Sequence, residues 1–248
     1  MEKSEIGQRI VAILGLECSP LAVKFLKPGD SAPPGYDDSQ KLRYCQSLMM
    51  AKRGRKVLLS GENITCPAAA AGFGFKPLPE KLARGEMMHV MGSFATPAAA
   101  ATTMELMPRL KQGECSGVLV TSLEQAEFEP NVVVLEGEPE KLTWAAQADT
   151  FDEGGRHSFE TGVLQATCID VTLVPYVKGK LNANLGCYGC RDGTDIPCTE
   201  TVLGLPGSHL ERIAGALEKL AEKAIPRSRA KGAYLSLAAR DEQNSCGD

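Results

Sequence analysis

Two apolar runs, Gly117-Val118-Leu119-Val120-Thr121 and Val132-Val133-Val134-Leu135, decide the fold class. Neither run alternates apolar with polar side chains, so each is typical of a strand that is buried in a sheet. The run Leu21-Ala22-Val23-Lys24-Phe25-Leu26 is predicted to be another strand. Segments with apolar residues at helical spacing lie around these runs. Buried strands that alternate with helices predict an α/β fold.

Shorter elements complete this pattern. We expect further strands over 57–60, 181–184 and 201–205, and helices over 4–15, 42–52, 68–71, 78–84, 97–110, 139–148, 163–175 and 210–220. Residues 1–225 are therefore predicted to form a single α/β domain, and 226–248 a polar C-terminal tail.

The composition is that of an ordinary soluble globular protein. The chain has 248 residues, 43% hydrophobic and 23% charged, and a net charge of -4. This charge and the lack of a long basic run argue against nucleic acid as a partner. No apolar run approaches the roughly 20 residues that span a bilayer, and no signal segment is recognisable. We expect a cytoplasmic protein that does not enter the membrane.

Common catalytic motifs are missing from the sequence. It contains no P-loop, no G-x-G-x-x-G after a first strand and no G-x-S-x-G elbow. The three histidines, His89, His157 and His209, stand in scattered contexts and are expected to be surface or structural residues. No residue is therefore assigned a catalytic role.

The cysteines carry the chemical signal. Nine cysteines, an odd number, are poorly explained by a disulfide framework. Cys18, Cys115 and Cys246 are expected to be small buried hydrophobes. The conspicuous motif is Leu185-Gly186-Cys187-Tyr188-Gly189-Cys190-Arg191-Asp192-Gly193, a C-x-x-C pair followed by arginine. Such a pair fits a redox dithiol, half of a zinc site or part of an iron–sulfur site.

The cysteine spacing indicates an internal repeat. Cys45 and Cys66 are 21 positions apart, and Cys168 and Cys187 are 19 positions apart. Both pairs enclose a helix, a basic-Gly-basic turn and a short strand. If 20–100 and 115–225 are pseudo-symmetric halves, a twofold axis brings the four thiols to one shared site.

Four converging thiolates suit a [4Fe–4S] cluster or tetrahedral zinc. Structural zinc usually takes two tight C-x₂₋₄-C pairs, and only one is present, which favours iron–sulfur. Arg43, Arg191 and the helix start after Cys66 are expected to offset the thiolate charge. Cys190 is an additional candidate ligand, and Cys198 a distant one.

The chain resembles a family of proteins with a domain of unknown function, DUF169, which is widespread in anaerobic archaea and bacteria. The resemblance covers about residues 8–225 and rests on the segments 20–25, 43–45, 130–134 and 204–206, on Cys66, on Cys168 with Pro175-Tyr176, and on the motif 185–191. It implies an α/β protein of anaerobes with recurrent cysteines at Cys45, Cys66, Cys168 and Cys187. The position of Cys190 is more often a small residue in the family, which leaves open whether Cys190 or Cys168 is the fourth ligand.

Three functions remain open at this point. The leading hypothesis is a [4Fe–4S] protein that transfers electrons to a redox partner or senses redox state, and that can form a homo-oligomer. The second is a thiol–disulfide redox protein using Cys187 and Cys190. The third is a module that binds a small ligand or cofactor, with structural zinc or no metal.

Overall fold

The computed structural model describes residues 2–162 and 164–245. These residues form a mixed α/β fold with one six-stranded sheet, which confirms the predicted fold class. The strands lie in the order β2-β3-β1-β4-β6-β5, and every pair of neighbours is antiparallel. Their bounds are β1 (Leu21–Leu26), β2 (Val57–Leu59), β3 (Gly117–Ser122), β4 (Val132–Gly137), β5 (Asn182–Asn184) and β6 (Thr201–Pro206).

Helices connect and cover the strands. Their bounds are α1 (Lys3–Leu14), α2 (Tyr44–Lys52), α3 (Pro67–Gly72), α4 (Glu80–Ala83), α5 (Glu86–Val90), α6 (Pro97–Leu106), α7 (Pro139–Asp149), a π-helix (Ala166–Leu173), α8 (Val174–Lys178), α9 (Tyr188–Gly193), α10 (Leu210–Glu222), α11 (Ala224–Arg229) and α12 (Gly232–Ser245). The last two occupy the segment that was predicted to be a polar tail. Within the described residues, every helix is too short or too polar to cross a membrane.

Both faces of the sheet are covered, which explains why its strands are apolar throughout. In β4, Val132 and Val134 belong to one core, while Val133 and Leu135 belong to the other. The second core contains residues of α1, α7 and α10. The first contains residues of α2, α3 and the π-helix, together with the buried cysteines Cys45, Cys168, Cys187 and Cys190. An antiparallel sheet usually leaves one face in water, but this one is the middle layer of three.

The strand order gives equivalent places to the strands β1–β3 and the strands β4–β6. β1 and β4 form the central pair, β3 and β6 flank them, and β2 and β5 are the edges. Each of these sets of three therefore places its strands in the same sequence of positions: centre, edge, then between. Because β3 lies within 115–225, these sets do not coincide with the predicted halves. A twofold axis through the β1–β4 pair generates this order. The duplication itself stays a prediction.

A π-helix replaces the α-helix that was expected over 163–175. Val163 lies outside the described residues, and the helical turns begin at Ala166. The amide of Asp170 bonds the carbonyl of Gln165, five residues earlier, which is the π pattern. A physical reason is Pro175, which has no N–H to donate to the carbonyl of Val171 and whose ring crowds that carbonyl.

The π-helix lies directly against β6. A Cβ atom added at Gly204 would stand 2.6 Å from the carbonyl carbon of Val171. Only glycine leaves room for this approach of two backbones. The close packing fixes the π-helix, and the cysteine that it carries, on the sheet.

Candidate functional site

The helix α2 presents Cys45 in its first turn. Arg43 precedes the helix, and its backbone N–H donates a hydrogen bond to the side-chain oxygen of Gln46. The neighbouring Tyr44 is buried, and its hydroxyl bonds the hydroxyl of Thr172 at 2.9 Å. Because Thr172 belongs to the π-helix, this bond ties the helix of Cys45 to the helix of Cys168.

Cys66 stands just before α3. Pro67 is the first residue of that helix, as predicted, and Cys66 is half-buried. Residues 68–71 of α3 are buried alanines, whose small side chains allow the helix to pack close to its neighbours. Gly72 at its end meets the side chain of Ile169 in the π-helix. This close packing brings Cys66 towards Cys168.

Cys168 is fully enclosed on the π-helix. Its thiol contacts the carbonyl of Gln165 at 3.6 Å. Burial raises the pKa of the Cys168 thiol well above its ordinary value, and the neighbouring thiols of Cys66, Cys190 and Cys187 raise it further. The three neighbours show that distant cysteines of the sequence lie around this one.

Cys187 and Cys190 form a close pair at the start of α9. Their Sγ atoms are 3.1 Å apart, and the Cys190 N–H points at the Cys187 Sγ. The hydrogen bond donated to Cys190, together with burial, raises the pKa of Cys187. The same bond lowers the pKa of Cys190, but a hydrogen bond with Cys45 and burial outweigh it and raise that pKa overall. Cys190 therefore contacts Cys187 and lies in the same cavity wall as Cys45.

One cavity of about 330 Å³ is lined by all five of these cysteines. They come from four separate parts of the chain: α2, the start of α3, the π-helix and the start of α9. Most of the remaining wall is apolar. It is contributed by Ala68, Ala69, Leu82, Leu164, Met87, Met88 and Met91. The structure thus brings together every cysteine that the sequence singled out as a first-choice ligand.

The two predicted arginines have different places. Arg43 lines the cavity, and its guanidinium bonds the Gly189 carbonyl and pairs with Asp192 at 3.3 Å. The guanidinium of Arg191 instead bonds carbonyl oxygens of Leu185, Pro197 and Glu200. Arg191 therefore clamps the loops on either side of α9, and it contributes to the site by holding the loop of Cys187 in place.

The other described cysteines stand apart from the cavity. Cys115 is buried and Cys18 half-buried, and desolvation by burial raises the pKa of each to about 11. Cys198 is exposed and is absent from the cavity wall. Cys246, expected to be buried, lies outside the described residues.

The described residues contain no ready-made site for a single metal ion. Among residues 2–162 and 164–245, no group of three or more His, Cys, Asp or Glu side chains is arranged to hold a metal ion. The five thiols therefore line one cavity without forming such a group. In a tetrahedral zinc site with Zn–S bonds of about 2.3 Å, neighbouring sulfurs lie roughly 3.8 Å apart.

A polar network behind the cavity was not predicted from the sequence. The buried Asp170 accepts hydrogen bonds from the Asn184 side chain, the Thr161 hydroxyl and the Gly162 N–H. The Asn184 side chain in turn accepts from the Gly186 N–H at 2.7 Å. Burial raises the pKa of Asp170 to about 6. This network joins the π-helix to the turn that precedes Cys187.

The methionines at the cavity mouth were also missed. Met87 lies in α5 and Met91 directly follows it, four residues later. Residues at this spacing lie on the same side of a helix, and both side chains line the cavity. Their spacing in the sequence was the available signal.

Comparisons with known proteins give a family and a relative. The model of a family described as uncharacterised ArCR matches residues 9–216. The uncharacterized protein MJ0308 of Methanocaldococcus jannaschii is 29% identical over 221 residues, which are 88% of this chain and 94% of that protein. No solved structure matches the chain.

Proposed function

The chain belongs to the DUF169 family, and we propose that it is a cytoplasmic protein that binds a [4Fe–4S] cluster in the thiol-lined cavity and acts in electron transfer or redox sensing. One observation carries the proposal. Five cysteines from four separate segments line a single, largely apolar cavity of about 330 Å³. Packing alone gives no reason for five thiols to meet there.

The cavity is large enough to hold a polyatomic group. Its volume equals that of about eleven water molecules at roughly 30 Å³ each. A zinc ion is held by thiolates that all point at one atom, and the described cysteines have no such arrangement. In a cubic cluster each cysteine binds a different iron. The thiols can then stand further apart, around a volume.

The close pair restricts the choice of ligands. Two thiolates that bind different irons stand further apart than the roughly 3.8 Å between two sulfurs on one metal atom. Cys187 and Cys190 are 3.1 Å apart, so in this arrangement they compete for a single iron. The proposed ligands are Cys45, Cys66, Cys168 and Cys187, with Cys190 as the exchangeable alternative.

The chain's own residues prepare the site for negative charge. Ligand thiols must lose their protons, so loading releases protons and depends on pH. Arg43 at the cavity wall is the fixed positive charge that opposes this accumulation of charge. The cluster, when bound, supplies reversible one-electron chemistry. A redox partner, or a second copy of the chain, would approach from the side of Tyr188 and α5.

The test is reconstitution without oxygen. Protein purified anaerobically and supplied with iron and sulfide should develop a broad visible charge-transfer absorption. Single Cys45→Ser, Cys66→Ser and Cys168→Ser variants should lose most of it. Cys115→Ser is the matched control, because Cys115 is buried but outside the cavity. Equal absorption in all variants, or none in the wild type, contradicts the proposal.

A thiol–disulfide function is the second candidate, and the 3.1 Å contact between Cys187 and Cys190 favours it. In that reaction the two thiols form a disulfide and pass two electrons and two protons to a disulfide substrate, which is reduced to two thiols. Cys190→Ser should then abolish turnover of a model disulfide, while Cys45→Ser should retain it. Turnover that is unaffected by Cys190→Ser contradicts this candidate.

A further inference from the structure

The mouth of the thiol cavity has a wall of methionines. Met87, Met88 and Met91, from α5 and the residue after it, line the same cavity as the five cysteines. The lining therefore holds eight sulfur atoms, five from thiols and three from thioethers.

Met88 packs against the hydrophobic core, whereas Met87 and Met91 are exposed. Met87 is 38% exposed and Met91 is 56% exposed. A side chain that serves only to fill a core is buried, because its stabilising effect comes from the apolar area removed from water. Met87 and Met91 therefore present their thioethers both to the cavity and to the solvent.

The thioether is chemically distinct from other apolar groups. It is a soft, polarizable donor, and together with thiolate it selects soft cations such as Cu(I). Leucine would supply the same volume without a donor. The methionines therefore extend the soft donor set of the cysteines from the floor of the cavity to its mouth.

The oxygen atoms of the wall offer little to hard cations. The carboxylate of Asp192 pairs with Arg43 at 3.3 Å. The hydroxyl of Thr167 bonds the Cys190 sulfur at 3.3 Å. Mg²⁺ and Ca²⁺ need several oxygen ligands, mostly carboxylates and carbonyls. The described lining thus discriminates in favour of sulfur-loving ions.

Charge balance favours a monovalent ion. A charge in an apolar site must be compensated, and a single thiolate compensates one monovalent cation. Such an ion also requires fewer ligands than the four of tetrahedral zinc. Among the described residues, no three Cys, His, Asp or Glu side chains form a metal-binding group. The close pair of Cys187 and Cys190 together with one methionine would supply three sulfur ligands, which are sufficient for a monovalent ion.

We propose that the cavity binds a soft monovalent cation, Cu(I), through cysteine thiolates together with the thioethers of Met87 and Met91. The methionines receive the ion at the mouth, and the thiols hold it at the floor. The cluster and Cu(I) would use the same thiols, so the Cu(I) site is proposed for the chain without a cluster, and the two proposals are tested separately.

The test uses Ag(I), the redox-inert substitute for Cu(I), and full-length metal-free protein under argon. The methionine methyl groups are labelled with ¹³C and followed by NMR, with peaks assigned through single Met→Leu variants. Ag(I) should shift the methyl peaks of Met87 and Met91. The peak of Met104, which is fully buried and outside the cavity, is the internal control.

Affinity provides the second measurement. Competition with a thiol chelator should show that the Met87→Leu/Met91→Leu double variant binds Ag(I) at least tenfold more weakly. Met107→Leu, a buried methionine outside the cavity, should bind as the wild type does. Leucine nearly matches methionine in volume, so folding should be retained.

Three outcomes overturn the proposal: no Ag(I) binding by the wild type, unshifted Met87 and Met91 methyl peaks, or equal affinity of the double variant. Iron loading is measured on the same variants. Because thioethers are not among the proposed cluster ligands, the double variant should still take up iron. A failure of the Cu(I) proposal is thereby separated from a failure of the iron–sulfur proposal.

Discussion

Gly204→Ala tests the packing that holds Cys168 in place. Gly204 in β6 faces the backbone of Val171 in the π-helix, and an alanine Cβ would lie 2.6 Å from the Val171 carbonyl carbon and 2.9 Å from its Cα. Contacts of this kind below 3.0 Å are essentially never seen for real Cβ atoms. The π-helix, three residues beyond Cys168, must therefore move.

The size of the movement follows from these distances. To reach an ordinary contact of 3.4 Å, the carbonyl carbon alone has to recede by about 0.8 Å, and the Val171 carbonyl oxygen, which lies nearer to the added Cβ, has to recede further. The obstacle is backbone, so no side chain can rotate away to relieve it. Overpacking typically costs about 1–3 kcal/mol, and we expect the upper part of this range, about 2–3 kcal/mol. For a chain of this length the melting temperature should fall by roughly 4–12 °C.

Urea unfolding monitored by circular dichroism measures this loss. The matched control is Gly215→Ala in α10, where an added Cβ has no atom within 4 Å. That variant should be more stable than the wild type by about 0.5–1 kcal/mol, because alanine favours the helix. Gly204→Ala with wild-type stability would refute the close approach of the π-helix to β6.

Three further predictions concern a buried ion pair, a buried hydrogen bond and a thiol. Lys52→Met should lower the free energy of unfolding by about 3–5 kcal/mol, because it leaves the carboxylate of Glu136, which is 2.5 Å from Lys52, buried without that partner. Urea titration should show that the double variant Lys52→Met/Glu136→Leu recovers most of the loss. A Lys52→Met variant as stable as the wild type would exclude a stabilising ion pair. Tyr44→Phe removes the 2.9 Å bond to Thr172 and should cost about 1 kcal/mol in the same assay; no change would mean that this bond does not join the two cysteine helices. Burial raises the pKa of Cys18 to about 11. Because only the thiolate reacts, iodoacetamide should alkylate Cys18 about tenfold faster for each pH unit between 8 and 10. A rate that does not change with pH, measured by peptide mass spectrometry, would contradict the raised pKa.

The layered fold was predictable because its strands are unusually apolar. Runs such as 132–135 are buried on both sides whether the sheet is parallel or antiparallel, so they reveal the covering layers and not the strand directions. The antiparallel order depends on long-range pairing, for instance of Leu21 with both Ser122 and Val134. Local sequence patterns contain no record of such pairs.

The candidate site was predictable in its cysteines and less so in its surroundings. Helix starts and turns placed Cys66 and Cys187 at the ends of elements, and the structure places both there. The π-helix escaped prediction because the effect of Pro175 acts on a carbonyl four residues earlier. Arg191 was expected to act on thiolate charge, yet its five donors found three backbone carbonyls that only the folded loops bring within reach.

The most direct test of the central claim is the iron and acid-labile sulfide content of the native chain, purified without oxygen and without reconstitution. A [4Fe–4S] protein should contain about four irons and four sulfides per chain. We predict values that approach this ratio in the wild type and in Cys115→Ser. Iron and sulfide absent from wild-type protein that has been kept anaerobic, or a single zinc ion in their place, would contradict the account.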